Sequence, residues 1–120
     1  MKGWMGVDFD GTLAVSGTKV WDGPLGEPIP LMVERVKGWI AEGIEVRIFT
    51  ARVAPYNKDG SKQSVAGLSE IRTRISVWCL KNVGTWLDVT CEKDHNIIQL
   101  WDDKAVGVIR DTGIRVGDPK

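Results

Sequence analysis

The sequence predicts an α/β domain built on a mostly parallel sheet covered by helices. Two observations carry this. Short apolar runs alternate with segments of helical periodicity, in the order strand, helix, strand, helix, strand. Polar clusters fall just past three of the apolar runs: Asp8 with Asp10, Thr50, and Asp102 with Asp103. In parallel sheets ligands gather at the carboxyl ends of the strands, so clusters at those ends point to a site.

The elements read in order as follows. Residues 4–9, from "WMGVDF", form a first strand that ends in carboxylates. Residues 14–28 are rich in Gly and Pro and read as a flap loop, with Trp21 the aromatic best placed to touch a substrate. Pro28 and Pro30 open a helix whose apolar face is Ile29, Met32, Val33, Val36, Trp39 and Ile40, closed by Gly43. "IEVRIFT", 44–50, is a second strand. Residues 53–64 form a polar, mobile loop, and a second helix covers about 66–83 with Leu68, Ile71, Ile75, Trp78 and Cys79 on one face. "WLDVT", 86–90, is a short third strand. "NIIQLWDD", 96–103, is a fourth, and "AVGVIR", 105–110, reads as a fifth. Only about six residues separate strands three and four, fewer than a usual parallel crossover, so either strand three is a stub at the sheet edge or its place in the chain is another.

At 120 residues the chain reads as one domain, 1–120, able to bury roughly two-thirds of its unfolded surface. Sixteen basic and sixteen acidic residues cancel, so no global positive field drives non-specific nucleic-acid binding. Cys79 and Cys91 are too few for a disulfide scaffold and lack CxxC spacing. Asp8 and Asp10 interrupt any N-terminal apolar stretch, and no segment has the length of a membrane span. A cytoplasmic protein with reduced thiols and no membrane partner is expected.

The acids imply metal chemistry. Alternation lets Asp8 and Asp10 lean to the same edge, and Gly11 lets the chain turn sharply after them. Bringing Asp102 or Asp103 alongside crowds like charges, which disfavours full ionisation. A hard divalent cation relieves the crowding, and oxygen ligands beside a phosphate favour Mg²⁺. A calcium-binding loop starting at Asp8 is excluded, because its sixth position is Leu13 instead of Gly and its twelfth is Lys19 instead of Glu. Asp is a covalent phosphoryl acceptor in known chemistry, and phosphoryl transfer needs positioned cations and donors. Thr50 offers a hydroxyl with neighbouring N–H groups, and Lys93 offers a positive charge from the loop before strand four.

"DFDGT" at 8–12, "IFTAR" at 48–52, Lys93 in "CEKDH" and "LWDDKAV" at 100–106 together resemble, in order, the four motifs of the haloacid dehalogenase-like (HAD) superfamily of phosphohydrolases. The resemblance spans most of the chain. It implies a three-layer Rossmann-like fold with helices on both faces, and a small member without a separate cap domain, because neither 14–28 nor 53–64 has room for one. It implies Asp8 as nucleophile and Mg²⁺ ligand. Asp10 would be the general acid and then base, with its backbone carbonyl on the metal. Thr50 and Lys93 would hold the phosphate, with Gly11, Thr12, Ala51 and Arg52 around the substrate. Asp103 is favoured as direct metal ligand and Asp102 as its support, since alternation sends the two apart. Lys81 and Lys104 are the alternatives to Lys93. The lone His95 reads as solvent-facing.

The expected activity is a Mg²⁺-dependent phosphatase acting through an aspartyl-phosphate. The substrate is a phosphorylated small molecule or a nucleotide or nucleic-acid end, and a homo-oligomer is allowed. A non-catalytic module that keeps the metal site is the rival from another class.

Overall fold

The computed structural model describes residues 2–16 and 23–118. Along the chain run β1 (Trp4–Val7), α1 (Pro30–Ala41), β2 (Glu45–Phe49), a single 3-10 turn (Ala51–Val53), α2 (Val65–Asn82), β3 (Asp88–Thr90) and β4 (Ile97–Trp101). The strands form one sheet in the order β3-β2-β1-β4, and every pairing is parallel. The expected Rossmann-like α/β class holds, with no cap domain among the described residues, but α1 and α2 pack on one face of the sheet and not, as expected, on both.

Local sequence explains the helix limits. Pro30 opens α1, where a missing N–H costs nothing, and Gly43, at φ 81°, turns the chain out of it. Ser64 caps α2 by accepting a hydrogen bond from the Gly67 N–H at 2.9 Å, and Gly84, at φ 98°, follows its end.

Register decides which side chains meet. Met5 pairs with Val46 and Val7 with Ile48, so these four share one face of the sheet. They are buried with Met32, Val33 and Val36 of α1 and with Ile71, Ile75, Trp78 and Cys79 of α2 in one cluster. Phe9, just past β1, meets Trp78 edge-on at 4.9 Å, a geometry worth about 0.5–1.5 kcal/mol beyond area burial. Both βαβ units step the same way across the sheet, and right-handed crossovers therefore place α1 and α2 on the same face.

The other face carries Trp4, Glu45 and Arg47, and its covering layer is the crossover 91–96 instead of a helix. The Trp4 indole N–H donates to Asp94 at 2.8 Å, and the Arg47 guanidinium lies 4.5 Å over the Trp4 ring while also reaching Asp94 at 3.4 Å. Under that cover Trp4 is fully buried. The short crossover is feasible because the geometry is modest. Moving three strand spacings sideways and four residues back is roughly 19 Å, within the ~24 Å that seven steps of chain can span. Of the two alternatives, strand three is thus the edge stub.

Two expectations change. Residues 105–110 form no fifth strand. They make a single antiparallel bridge, Val108 with Arg115, in a terminal hairpin whose Val106, Val108 and Val116 are exposed, so no sheet edge claims them. Residues 53–64 are more ordered than a polar loop suggests: Tyr56 bridges Lys62, Asn57 and Gly60 close a turn, and Gln63 donates to the Ala54 carbonyl at 3.0 Å. Of the flap 14–28, residues 17–22 with Trp21 lie outside the described residues. Its described ends are tied down: Ala14 bridges Pro28, and α2 holds Gly23 and Gly26 through Arg74 and the Trp78 indole. Gly26 is required there, since a Cβ would meet the Val15 carbonyl oxygen at 1.8 Å.

Candidate active site

Parallel strands bring their carboxyl ends to one rim, and β4, β1 and β2 are neighbours. The segments leaving them therefore converge. Asp8 follows β1, Asp102 and Asp103 follow β4, and Thr50 with Ala51 and Arg52 follows β2. Together with Asp10, Ser16, Phe49 and Lys104 they line a cavity of about 440 Å³.

Asp8, Asp102 and Asp103 each turn a carboxylate oxygen into a set lying within 4.8 Å of one another. The Thr12 hydroxyl sits between them, 3.4 Å from Asp8 and 3.5 Å from Asp103, and accepts the Asp103 backbone N–H at 3.1 Å. Gly11 makes the approach possible. It takes φ 85°, and a Cβ there would lie 2.9 Å from an Asp103 oxygen. Burial raises the Asp8 pKa from 3.8 to about 7, and the hydrogen-bonded Asp103 and the charges of Asp102 and Asp103 add to the rise. Three carboxylate oxygens at this separation, one half-buried and reluctant to ionise alone, suit a hard divalent cation in charge and in donor type.

Asp10 belongs to a different arrangement. Both its oxygens accept from Arg52, one from Nε at 2.7 Å and the other from Nη2 at 2.9 Å. The Arg52 side chain is only 2% exposed, and its backbone N–H caps onto the Thr50 hydroxyl at 3.1 Å. Thr50 is itself buried, and its N–H donates to the Thr90 carbonyl at 2.9 Å, which fixes the end of β2 against β3.

The sequence-expected residues sort as follows. Asp8, Asp10, Thr50, Ala51, Arg52, Asp102 and Asp103 come together on one rim. Gly11 and Thr12 shape the acid cluster and open toward a neighbouring pocket of about 280 Å³ beside Trp101. Asp102 and Asp103 both reach the cluster, because β4 ends at Trp101 and strand alternation stops with it. Lys93 is not brought in. It is exposed in the crossover, next to the Asp94 that binds Trp4 on the second face. Among the described residues the one lysine lining the cavity is Lys104, whose N–H binds Asp102 at 2.8 Å. Its signal in the sequence is plain adjacency to the two acids. The pairing of Arg52 with Asp10, forty-two residues apart, has no sequence signal.

No family model and no curated protein matches the chain. A solved structure described as that of a conserved protein coded by a locus from Bacteroides thetaiotaomicron is similar, with a TM-score of 0.53 and 21% identity over 92% of this chain and 84% of that one. At that identity the likeness concerns the fold alone. Among the described residues no helix is long and apolar enough to cross a membrane.

Proposed function

We propose that this chain is a Mg²⁺-dependent phosphomonoesterase of HAD type that works through a phosphoryl group carried on Asp8. The observation that supports this reading is the meeting of Asp8 with Asp102 and Asp103 at adjacent strand ends, beside the Thr50 hydroxyl. Asp8, Asp102 and Asp103 would hold the cation, which would supply positive charge that favours ionised Asp8 and offsets the phosphate.

The chain's own groups then account for the two half-reactions. An ionised Asp8 oxygen attacks phosphorus, the bond to the leaving oxygen breaks, and Asp10, carrying a proton taken beforehand from solvent, gives it to that oxygen. Next a water gives its proton back to Asp10 and attacks phosphorus, the bond to Asp8 breaks, and inorganic phosphate leaves. The Thr50 hydroxyl and the Ala51 backbone N–H bind the phosphoryl oxygens, and Lys104 takes the part expected of Lys93. The substrate is a phosphorylated small molecule or a nucleotide or nucleic-acid end. The absence of a cap among the described residues favours no size limit. The same reading keeps the protein in the cytoplasm, where Cys79 and Cys91, both unpaired, stay reduced.

The deciding experiment is turnover of an aryl phosphate and of a panel of phosphorylated metabolites and oligonucleotide ends, with Mg²⁺ and with chelator. Wild-type protein is expected to turn over at least one of them with Mg²⁺ only, and Asp8→Asn to lose about 10³-fold or more in kcat. Undiminished turnover in chelator, or by Asp8→Asn, overturns the mechanism. Inertness across the panel together with cation binding would make the chain a binding module.

A further inference from the structure

Four carboxylates line the cavity, yet they are not one group. Asp8, Asp102 and Asp103 point an oxygen at a common centre, while Asp10, only two residues from Asp8, stays out of that set. The residue that accounts for the separation is Arg52, which engages both Asp10 oxygens in a two-pronged contact. A fork of this kind fixes the carboxylate plane as well as its position. The fork is itself held. Its side chain is 2% exposed, its backbone N–H is bound by Thr50, and the Gln63 side chain donates to its carbonyl oxygen at 3.3 Å. Asp10 is 28% exposed and so is the movable partner of the two.

We propose that Arg52 is a positioning residue that partitions the four acids three to one, keeping the Asp10 carboxylate out of the cation cluster and facing the cavity. This rests on the proposed function for its catalytic consequence, but the partition itself concerns only where Asp10 sits. Without Arg52, Asp10 gains freedom beside a site that already prefers oxygen ligands. The cluster then has four acids to offer a cation, and the leaving-group side of the cavity loses its carboxylate.

Arg52→Ala and Arg52→Lys test this against Asp10→Asn and the Arg52→Ala/Asp10→Asn double variant, all checked by circular dichroism. Two measurements are made: binding of Mn²⁺ by calorimetry, with no substrate present, and steady-state turnover of an aryl phosphate with Mg²⁺. Arg52→Ala is expected to bind Mn²⁺ at least fivefold tighter than wild type, and the double variant no tighter than Asp10→Asn. Loss of one positive charge alone would tighten both backgrounds equally, and that result overturns the proposal. Arg52→Lys keeps the charge but not the fork. It is expected to lose about 10-fold or more in kcat with KM changed less, whereas wild-type kcat in Arg52→Lys overturns the positioning role. Should Arg52→Ala fail to fold, Arg52→Lys in both measurements decides the question. If wild type shows no turnover, the activity reading fails, while the Mn²⁺ comparison still decides the partition.

Discussion

Asp8 and Asp94 stand at opposite ends of the same strand and on opposite terms with their surroundings. At the lower end of β1, Asp94 accepts the Trp4 indole N–H and the Asn96 backbone N–H, with Arg47 nearby. Those bonds, the indole first, hold its carboxyl below the ordinary carboxylate range. At the upper end, burial and two further acids push Asp8 up to about 7. Asp94 is an acid completed by the fold, and Asp8 is one the fold leaves uncompensated. Uncompensated charge at a strand end is what a functional site looks like in physical terms, while a satisfied acid reads as architecture.

The largest effect that tests this contrast is on activity. If Lys104 serves the rim cavity while Lys93 belongs to the crossover on the other face, Lys104→Ala should lower kcat/KM for an aryl phosphate by about 10²-fold, and Lys93→Ala should leave it within about twofold. Equal losses in the two variants would return Lys93 to the site.

A smaller effect lies in stability. In chelator at pH 8, Asp8→Asn removes a carboxylate forced to ionise among others. It should raise stability by about 2 kcal/mol in urea unfolding, allowing for solvent screening. Asp94→Asn should lower it, because a carboxylate bound by an indole and an amide is replaced by a weaker acceptor. A destabilised Asp8→Asn would mean that its neighbours stabilise the charge after all.

The smallest and most specific effect is the sign of the pH dependence. Asp8 is raised from 3.8 to about 7 in the folded state, so between those values the folded chain holds a proton that the unfolded chain has released. Without divalent cation, stability should therefore fall as pH rises through that window, at less than about 1.4 kcal/mol per pH unit, and level off above it. Asp94 works the other way. Its contribution is complete above the ordinary carboxylate range and is lost as pH falls below it. Urea midpoints across pH 3–9 for wild type and Asp8→Asn separate the two, and a wild-type curve lacking the descending limb would remove the account of Asp8.

Much of this was legible in the sequence, for identifiable reasons. Apolar periodicity placed α1, α2 and β2 to within a residue or two, since Met32, Val33 and Val36 or Val46 and Ile48 have only one core to face. Parallel topology then fixed the rim, and with it Asp8, Thr50 and Asp102 with Asp103. What periodicity cannot carry is distance through space. The fork from Arg52 to Asp10 depends on a 3-10 turn after β2. The displacement of Lys93 depends on where the crossover runs, and no local pattern in "CEKDHN" says that Asp94 will be drawn under the sheet by an indole. The "AVGVIR" run misled because its alternation is that of a strand, while the partner it finds among the described residues is its own return segment.

The crossover has a further consequence for β4. Among the described residues this strand is bonded on one side only, to β1, and two of the three acids of the cluster follow its tip. At its foot the Trp4 amide grips the Asn96 carbonyl at 3.0 Å, and at its head Thr12 clasps Asp103. The strand is thus a post moored at both ends, and an ion captured at the head would draw taut what the indole anchors below. A cation bound there would by linkage raise the resistance of that outer strand to peeling away, and a loosened strand would in turn weaken the hold on the cation.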